Sequence, residues 1–78
     1  MNRMEKVIFD KKWYNGEKIL GLRFKKDDTV IIVDGEHENK TGRVHELVNW
    51  EDDPVYIVEL TQEPYGEHSI PQSNIALM

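Results

Sequence analysis

The chain consists mostly of short apolar runs separated by polar, turn-forming residues. No long stretch repeats apolar residues at the i, i+3, i+4 and i+7 spacing of an amphipathic helix. Instead, runs rich in Val, Ile, Tyr and Trp recur between clusters of Gly, Pro, Asn and Asp. Branched and aromatic side chains fit the pleated surface of a strand. The pattern therefore predicts an all-β protein.

Two strands are predicted on either side of a polar loop in the middle of the chain. The loop, residues 35–42, separates TVIIVD from RVHELVNW. In the second run, alternation places Val44, Val48 and Trp50 on one face, as expected where one side of a strand is buried. Because the loop is short, the two strands are expected to pair antiparallel.

Further strands are predicted after this pair. Pro54 has no N–H to donate, so it begins the strand VYIVELT, in which Tyr56, Val58 and Leu60 share a face. EPYGE turns the chain into HSI, PQSN suits a 3₁₀ turn, and IALM forms a last strand that we expect to pair near TVIIV. Five short strands in so short a chain predict a small barrel. The residues expected to share its core are Ile32, Val44, Val58 and Ile75.

The N-terminal segment is predicted to form a β-hairpin outside the barrel. EKVIFD and KILGLRF are its candidate strands, and Asn15-Gly16 between them tolerates the positive φ of a tight reversal. The alternative is a short helical turn around residues 17–20. The chain is thus divided into a basic β extension at residues 1–24 and a barrel at residues 25–78.

The stretch TVIIVDGEHENKTGRV resembles the KOW motif, which occurs in NusG-type transcription factors and in several ribosomal proteins. Val30 and Ile32 match the strand positions, Gly35 and Gly42 the two ends of the loop, and Val44 the closing valine. The resemblance implies an SH3-like barrel for residues 25–78. The fold expected for the whole chain is therefore a small five-stranded SH3-like barrel with an N-terminal β-hairpin extension.

The loop of this motif departs from the family at two positions. Asn39 replaces a common glycine, and Glu38 replaces a common lysine. Asn tolerates the left-handed region best among non-glycine residues, so we expect Gly35 or Gly42, and also Asn39, at positive φ. In the family the loop is basic and often contacts RNA, whereas here its charges nearly balance. The loop residues marked as candidates for binding are Gly35, His37, Asn39, Lys40, Gly42 and Arg43.

Length and composition favour binding over catalysis. A chain of 78 residues forms one small domain with a limited core. The absence of cysteine excludes disulfides, thiolate metal sites and a Cys nucleophile, and it fits a cytoplasmic location. The longest apolar run is far shorter than the ~20 residues of a membrane span, so neither membrane insertion nor a signal peptide is expected.

Charge divides the chain into two parts of opposite sign. Residues 1–26 contain eight Lys/Arg and three Asp/Glu, a net charge of +5, whereas residues 27–78 contain two and twelve, a net charge of −10. Such asymmetry indicates either that the basic segment neutralises an acidic body or that the two surfaces meet different partners.

Catalytic and metal-binding motifs are not found. HELVN begins like the zinc motif HExxH, but it ends in Asn49 and lies in a predicted strand, where residues four apart do not present ligands as they do on a helix. The scattered histidines predict no metal site, and neither serine lies in G-x-S-x-G. No enzyme activity and no cofactor are expected.

Aromatic and acidic residues in the loops are the candidates for partner contact. Exposed Trp and Tyr are typical anchors of interfaces. For Trp13 the alternative is packing of the N-terminal extension over an open end of the barrel, and Trp50 is assigned to the core. The candidates are Trp13, Tyr14, Glu51, Asp52, Asp53 and Tyr65.

Three functions are open to such a chain. The first is a non-enzymatic module whose acidic barrel docks on a basic surface of a protein partner. The second is nucleic-acid binding, with Trp13 or Tyr14 stacking on a base. The third is inhibition of a nucleic-acid-binding protein by an acidic mimic of a polyanion, as in immunity or anti-restriction proteins. The basic residues that would contact phosphates in the second case are Arg3, Lys6, Lys11, Lys12, Lys18, Lys25 and Lys26.

Overall fold

The computed structural model describes residues 3–49 and 52–78. Its elements in chain order are α1 (Arg3–Tyr14), β1 (Thr29–Ile32), β2 (Thr41–Asn49), β3 (Val55–Leu60), β4 (Gly66–Pro71), a 3₁₀ turn (Gln72–Asn74) and β5 (Ile75–Leu77). Within these ranges no helix has the length and apolar character needed to cross a membrane. Five strands and a 3₁₀ turn lie where the sequence pattern predicted them.

The five strands form one antiparallel sheet in the order β4-β3-β2-β1-β5. Successive strands pair with each other, except that β5 crosses back to pair with β1, where Ile75 lies opposite Ile32. The predicted pairing of IALM near TVIIV is therefore confirmed. In the described residues β4 and β5 are the two edges of the sheet and do not pair with each other.

One face of the sheet carries the core. Ile32, Val44, Val58 and Ile75 are all buried in a single apolar cluster, as predicted. The side chains of β3 alternate as expected, because its even-numbered residues face the core and Ile57 and Glu59 do not. Burial of these branched side chains is the main stabilising contribution of the sheet.

A β-bulge changes the alternation in β2. The register shifts between Val44 and Glu46, so one additional residue is inserted and the buried position moves from residue 48 to Leu47. Val48 is consequently 47% exposed, and the prediction that it shares a face with Val44 is wrong. Trp50, assigned to the core from the sequence, lies outside the described residues.

The predicted N-terminal hairpin is wrong, because α1 occupies residues 3–14. Asn15-Gly16 ends this helix instead of reversing a hairpin. Gly16 has φ +79°, and the N–H groups of Asn15 and Glu17 donate to the carbonyls of Lys11 and Lys12 at 3.0 Å. A helix C-terminus and a hairpin turn both require positive φ, so the same dipeptide suits either. The alternative helical turn at 17–20 is replaced by a tight turn at 19–22.

The N-terminal region packs against the sheet through aromatic side chains. Trp13 is only 1% exposed, and its indole N–H donates to the Phe24 carbonyl at 2.8 Å. Phe24 meets Tyr56 of β3 edge to face, with ring centroids 5.4 Å apart. The prediction that Trp13 is exposed for a partner is wrong, because Trp13 packs in the core of the sheet.

Candidate functional site

The loop between β1 and β2 is fixed by its own backbone. Gly35 has φ +94° and Asn39 has φ +73°, which confirms the prediction for this pair. The Asn39 N–H donates to the Ile32 carbonyl at 2.7 Å, and the Gly35 N–H donates to Asp34 Oδ1 at 2.8 Å. The loop therefore holds one conformation before any partner arrives.

Gly42 serves a different purpose from the one predicted. Its φ is not positive, but a Cβ at this position would lie 2.6 Å from the carbonyl oxygen of Glu59 and 2.7 Å from Val58 Cγ1. Glycine is needed here because β2 and β3 approach closely. Arg43, another loop candidate, lies exposed on β2, opposite Glu59 in the strand register.

The β1–β2 loop lies beside the turn between β3 and β4. The rings of His37 and His68 are 4.5 Å apart, and the hydroxyls of Thr41 and Thr61 are joined by a hydrogen bond of 2.7 Å. The Thr41 N–H also donates to the side chain of Gln62 at 3.0 Å. We call residues 33–40 and 61–65, together with His68, the loop-end surface.

The loop-end surface is acidic and carries an exposed aromatic ring. Tyr65 is 69% exposed and lines a shallow depression with Lys40, Glu63 and Pro64. In the described residues, Lys40 is the one Lys or Arg of this surface. Its carboxylates, all on exposed residues, are Asp34, Glu36, Glu38 and Glu63.

The predicted acidic turn lies at the opposite end of β2. Asp52 is exposed and has φ +56°. Asp53 accepts hydrogen bonds from the N–H and the hydroxyl of Ser73, so its carboxylate holds the 3₁₀ turn. Glu51 lies outside the described residues. The predicted partner-contact residues are thus divided between two ends of the sheet. Tyr65 lies at the end that contains the β1–β2 loop, whereas Asp52 lies at the other end.

Tyr14 is a second partly exposed aromatic. It is 42% exposed, and its ring meets that of Trp13 edge to face at 5.0 Å. Partial burial, with the carboxylates of Glu46 and Asp10, raises the pKa of the Tyr14 hydroxyl. Tyr14 therefore lies against β2 and is separate from the loop-end surface.

A basic groove follows the irregular segment after α1. It has a volume of about 810 Å³, and Lys18, Arg23 and Lys25 are among its lining residues. Leu20 also lines it and is fully exposed. The segment that the sequence marked as basic thus contributes three cations to a groove that Glu17, Gln72 and Leu77 also line.

One cluster was not found from the sequence. His45 is at ion-pair distance from two carboxylates, with Nδ1 3.3 Å from Glu67 Oε1 and Nε2 3.8 Å from Glu59 Oε2. His45 lies on a strand, which agrees with the rejection of a helical HExxH site. In the sequence, the one clue to this cluster is that Glu59 alternates with the buried residues of β3 and so faces outward. The three residues come together only through the strand register.

Comparison with known proteins gives no relative on which to rest a function. The chain matches no protein-family model, and a search among curated proteins found no match either.

Proposed function

We propose that this protein is a non-enzymatic binding module that docks on a basic surface of a protein partner through the loop-end surface. The observation that carries the proposal is the exposed ring of Tyr65, which lines a depression with Lys40 and Glu63 on a surface that also includes the exposed residues Asp34, Glu36 and Glu38. Aromatic side chains with an apolar ring and a polar tip are frequent anchors of interfaces. The surrounding negative charge would attract a basic partner and accelerate encounter.

The rigidity of the β1–β2 loop supports the same proposal. A loop whose conformation is already set by Gly35, Asn39 and their hydrogen bonds loses little conformational entropy when it binds. The ring contact of His37 with His68 and the Thr41–Thr61 hydrogen bond join this loop to the neighbouring turn. The two loops can therefore be presented to a partner as one surface.

We further propose that the sheet and its 3₁₀ turn form an SH3-like barrel of the KOW type, with residues 25–78 as the barrel. Three features support this kinship: the strand order, the 3₁₀ turn directly before β5, and the positive φ of Gly35 and Asn39. Barrels of this kind serve many functions, so the proposed docking depends on the loop-end surface and not on the fold.

The docking proposal is tested first by site-specific crosslinking in the native cell. A photoreactive amino acid at position 65 should crosslink a partner with a basic surface, whereas the same probe at Leu20, which is also exposed, should not capture that partner. Capture of the same partner equally from both positions would contradict docking through the loop-end surface.

Association kinetics with the captured partner give the second test. Changing Glu36, Glu38 and Glu63 together to Gln should slow association and reduce its dependence on salt, because long-range attraction is lost. Tyr65→Ala should mainly accelerate dissociation. The control is the triple change of Lys11, Lys12 and Lys18 to Gln, which should leave binding nearly intact. A larger effect of this control than of the glutamate variant would move the docking site to the basic segment.

Nucleic-acid binding is the second candidate, and the basic groove is the observation that favours it. Burial of Trp13 leaves Tyr14 as the exposed one of the two residues predicted to stack on a base, and the side chains of Arg3 and Lys6 lie outside those that the structure describes. Affinity for a short single strand should then fall with salt by about 0.7 log units per log unit of salt for each phosphate contact. Binding tighter than the ~10⁻⁴ to 10⁻⁶ M typical of non-specific complexes would favour this candidate over docking on protein.

The polyanion mimic is a special case of docking on a basic protein. In this case the captured partner binds nucleic acid, and DNA or RNA competes with the loop-end surface for it. Competition that disappears in the triple glutamate variant would assign the protein to this class.

A further inference from the structure

We propose that His45, Glu59 and Glu67 form a binding site for a divalent transition metal ion of the Zn²⁺ class. One ligand atom from each residue lies within 4.8 Å of the other two. Imidazole nitrogen and carboxylate oxygen are both ordinary zinc ligands. The site is separate from the residues of the loop-end surface.

The three side chains come from three adjacent strands. Glu59 of β3 lies directly opposite Glu67 of β4, so both carboxylates project from the same face of the sheet. The bulge in β2 contains His45, between Val44 and Glu46, and lies two residues after Arg43, which is the residue opposite Glu59. Ladder hydrogen bonds fix the three backbones, so the ligands are held near one another without any loop.

Electrostatics favours a cation at this place. Like charges directly opposite each other on neighbouring strands destabilise the pair. In the part of the chain whose side chains are described, His45 is the only cationic or titratable basic group at ion-pair distance from Glu59 or Glu67. A divalent ion would neutralise both carboxylates and use a neutral imidazole as a third ligand.

The distances are close to those of a zinc site. With Zn–N and Zn–O bonds of about 2.0 to 2.2 Å, neighbouring ligand atoms of a tetrahedral ion lie about 3.4 Å apart. His45 Nδ1 and Glu67 Oε1 are 3.3 Å apart. Glu59 Oε2 lies 3.8 Å from the other ring nitrogen, Nε2, so the Glu59 side chain, which is 53% exposed, has to rotate toward the Nδ1 side to complete the set.

The kind of ion follows from the ligands. Nitrogen with two carboxylates and no sulfur selects a borderline ion such as Zn²⁺ or Co²⁺ over a soft ion. Three protein ligands leave one position of a tetrahedral ion for water or for a group of a partner. The exposure of both glutamates makes the site reversible, unlike a buried structural zinc.

The test measures Zn²⁺ binding to the chelator-treated full chain by calorimetry and by backbone amide NMR. We expect one ion per chain, with shifts centred on residues 45, 59 and 67. His45→Gln should weaken binding at least about tenfold, since even indirect partners of a ligand contribute 10- to 100-fold. Glu67→Gln should weaken it as well. Circular dichroism checks that both variants fold.

The matched control is His68→Gln, which removes an imidazole from the neighbouring His37–His68 pair. This variant should bind Zn²⁺ like the unchanged chain, and Zn²⁺ should raise the melting temperature of both. Three outcomes would overturn the proposal: no zinc binding at millimolar concentration, binding that His45→Gln leaves unchanged, or binding that is lost in His68→Gln. In the first case His45 serves only as an ion-pair partner of the two glutamates.

Discussion

Residues 3–28 and residues 29–77 contribute to one core in different ways. Strands β1, β2 and β3 bury a side chain at about every second position, and ladders of backbone hydrogen bonds join all five strands. Among its described side chains, the N-terminal region buries only Trp13 and Phe24 fully, with Ile19 and Leu22 packed partly against the cluster. Many equivalent contacts thus stabilise one region, whereas a few anchors attach the other.

Gln72 is the polar anchor between the two regions. Its side-chain oxygen accepts hydrogen bonds from the Arg23 N–H at 2.9 Å and from the Tyr56 hydroxyl at 2.6 Å. Its amide group donates to the Gly21 carbonyl at 3.1 Å. Gln72 is 8% exposed, so these bonds are shielded from water. Four predictions, from the largest expected effect to the smallest, examine how the regions differ.

Trp13→Ala should have the largest effect. Loss of a buried Trp costs about 3 to 5 kcal/mol, and here the hydrogen bond to Phe24 is also lost. Urea unfolding measures the loss, and amide exchange should show that residues 19–28 lose more protection than β3. The counterpart in the sheet is Ile32→Ala, at about 2 to 5 kcal/mol, which should lower protection uniformly. Equal loss of protection everywhere in Trp13→Ala would contradict attachment by a few anchors.

Gln72→Leu should follow, with a loss of about 2 to 4 kcal/mol, because it leaves several buried polar groups without a partner. The matched control is Gln62→Leu, since Gln62 is exposed and its side-chain oxygen accepts hydrogen bonds from Thr41 at the start of β2. The control should change the free energy of unfolding by less than about 1 kcal/mol. Equal free energies of unfolding for the two variants would show that the hydrogen bonds of Gln72 contribute no more to stability than those of Gln62.

High pH should weaken the contact between the regions. Burial raises the pKa of Tyr56 to about 12 from the ordinary 10.0. Between these values the unfolded chain loses the phenolic proton that the folded chain keeps, so stability is full below pH 10 and falls as pH rises toward 12. At about 1.4 kcal/mol per pKa unit, the loss is roughly 2 to 3 kcal/mol. Unfolding of Tyr56→Phe over the same pH range supplies the reference, and parallel pH profiles for the two proteins would refute this role of Tyr56.

Gly35→Ala should have the smallest effect of the four, about 1 to 2 kcal/mol for an alanine at positive φ. The comparison is Gly16→Ala, which meets the same backbone restriction at the end of α1. A Cβ at Gly35 would lie 3.0 Å from Asn74 Nδ2, whereas a Cβ at Gly16 meets no atom within 4 Å. Gly35→Ala should therefore lower the melting temperature more than Gly16→Ala does. A larger loss at Gly16 would reverse the ranking of the two regions.

The difference between the sheet and the N-terminal region also explains which parts of the fold could be predicted from the sequence. Short apolar runs between turn signals located all five strands, and period-2 alternation gave the buried face of β3. The hairpin was wrong because Asn15-Gly16 satisfies a helix end as well as a turn, and because Trp13 acts through contacts with Phe24 and Tyr56 that are distant in sequence. Tertiary packing of this kind overrides local propensity.

The candidate site was predictable only in part. Gly35, Asn39 and Tyr65 could be located from turn chemistry and from the position of an aromatic residue in a loop. Their proximity depends on the β3–β4 pairing, which no local pattern gives. The position of His45 depends further on a one-residue bulge, which changes the facing of β2 up to a second register shift between Leu47 and Asn49.

The two edges of the sheet have a consequence for self-association. An unpaired strand edge offers a row of N–H and C=O groups to another copy of the chain, and long, flat, apolar edges promote aggregation. Here β5 has only three residues, and β4 begins at a glycine, carries Glu67 and ends at Pro71, which lacks an N–H. Neither edge is therefore a continuous apolar template for pairing with a second copy of the chain.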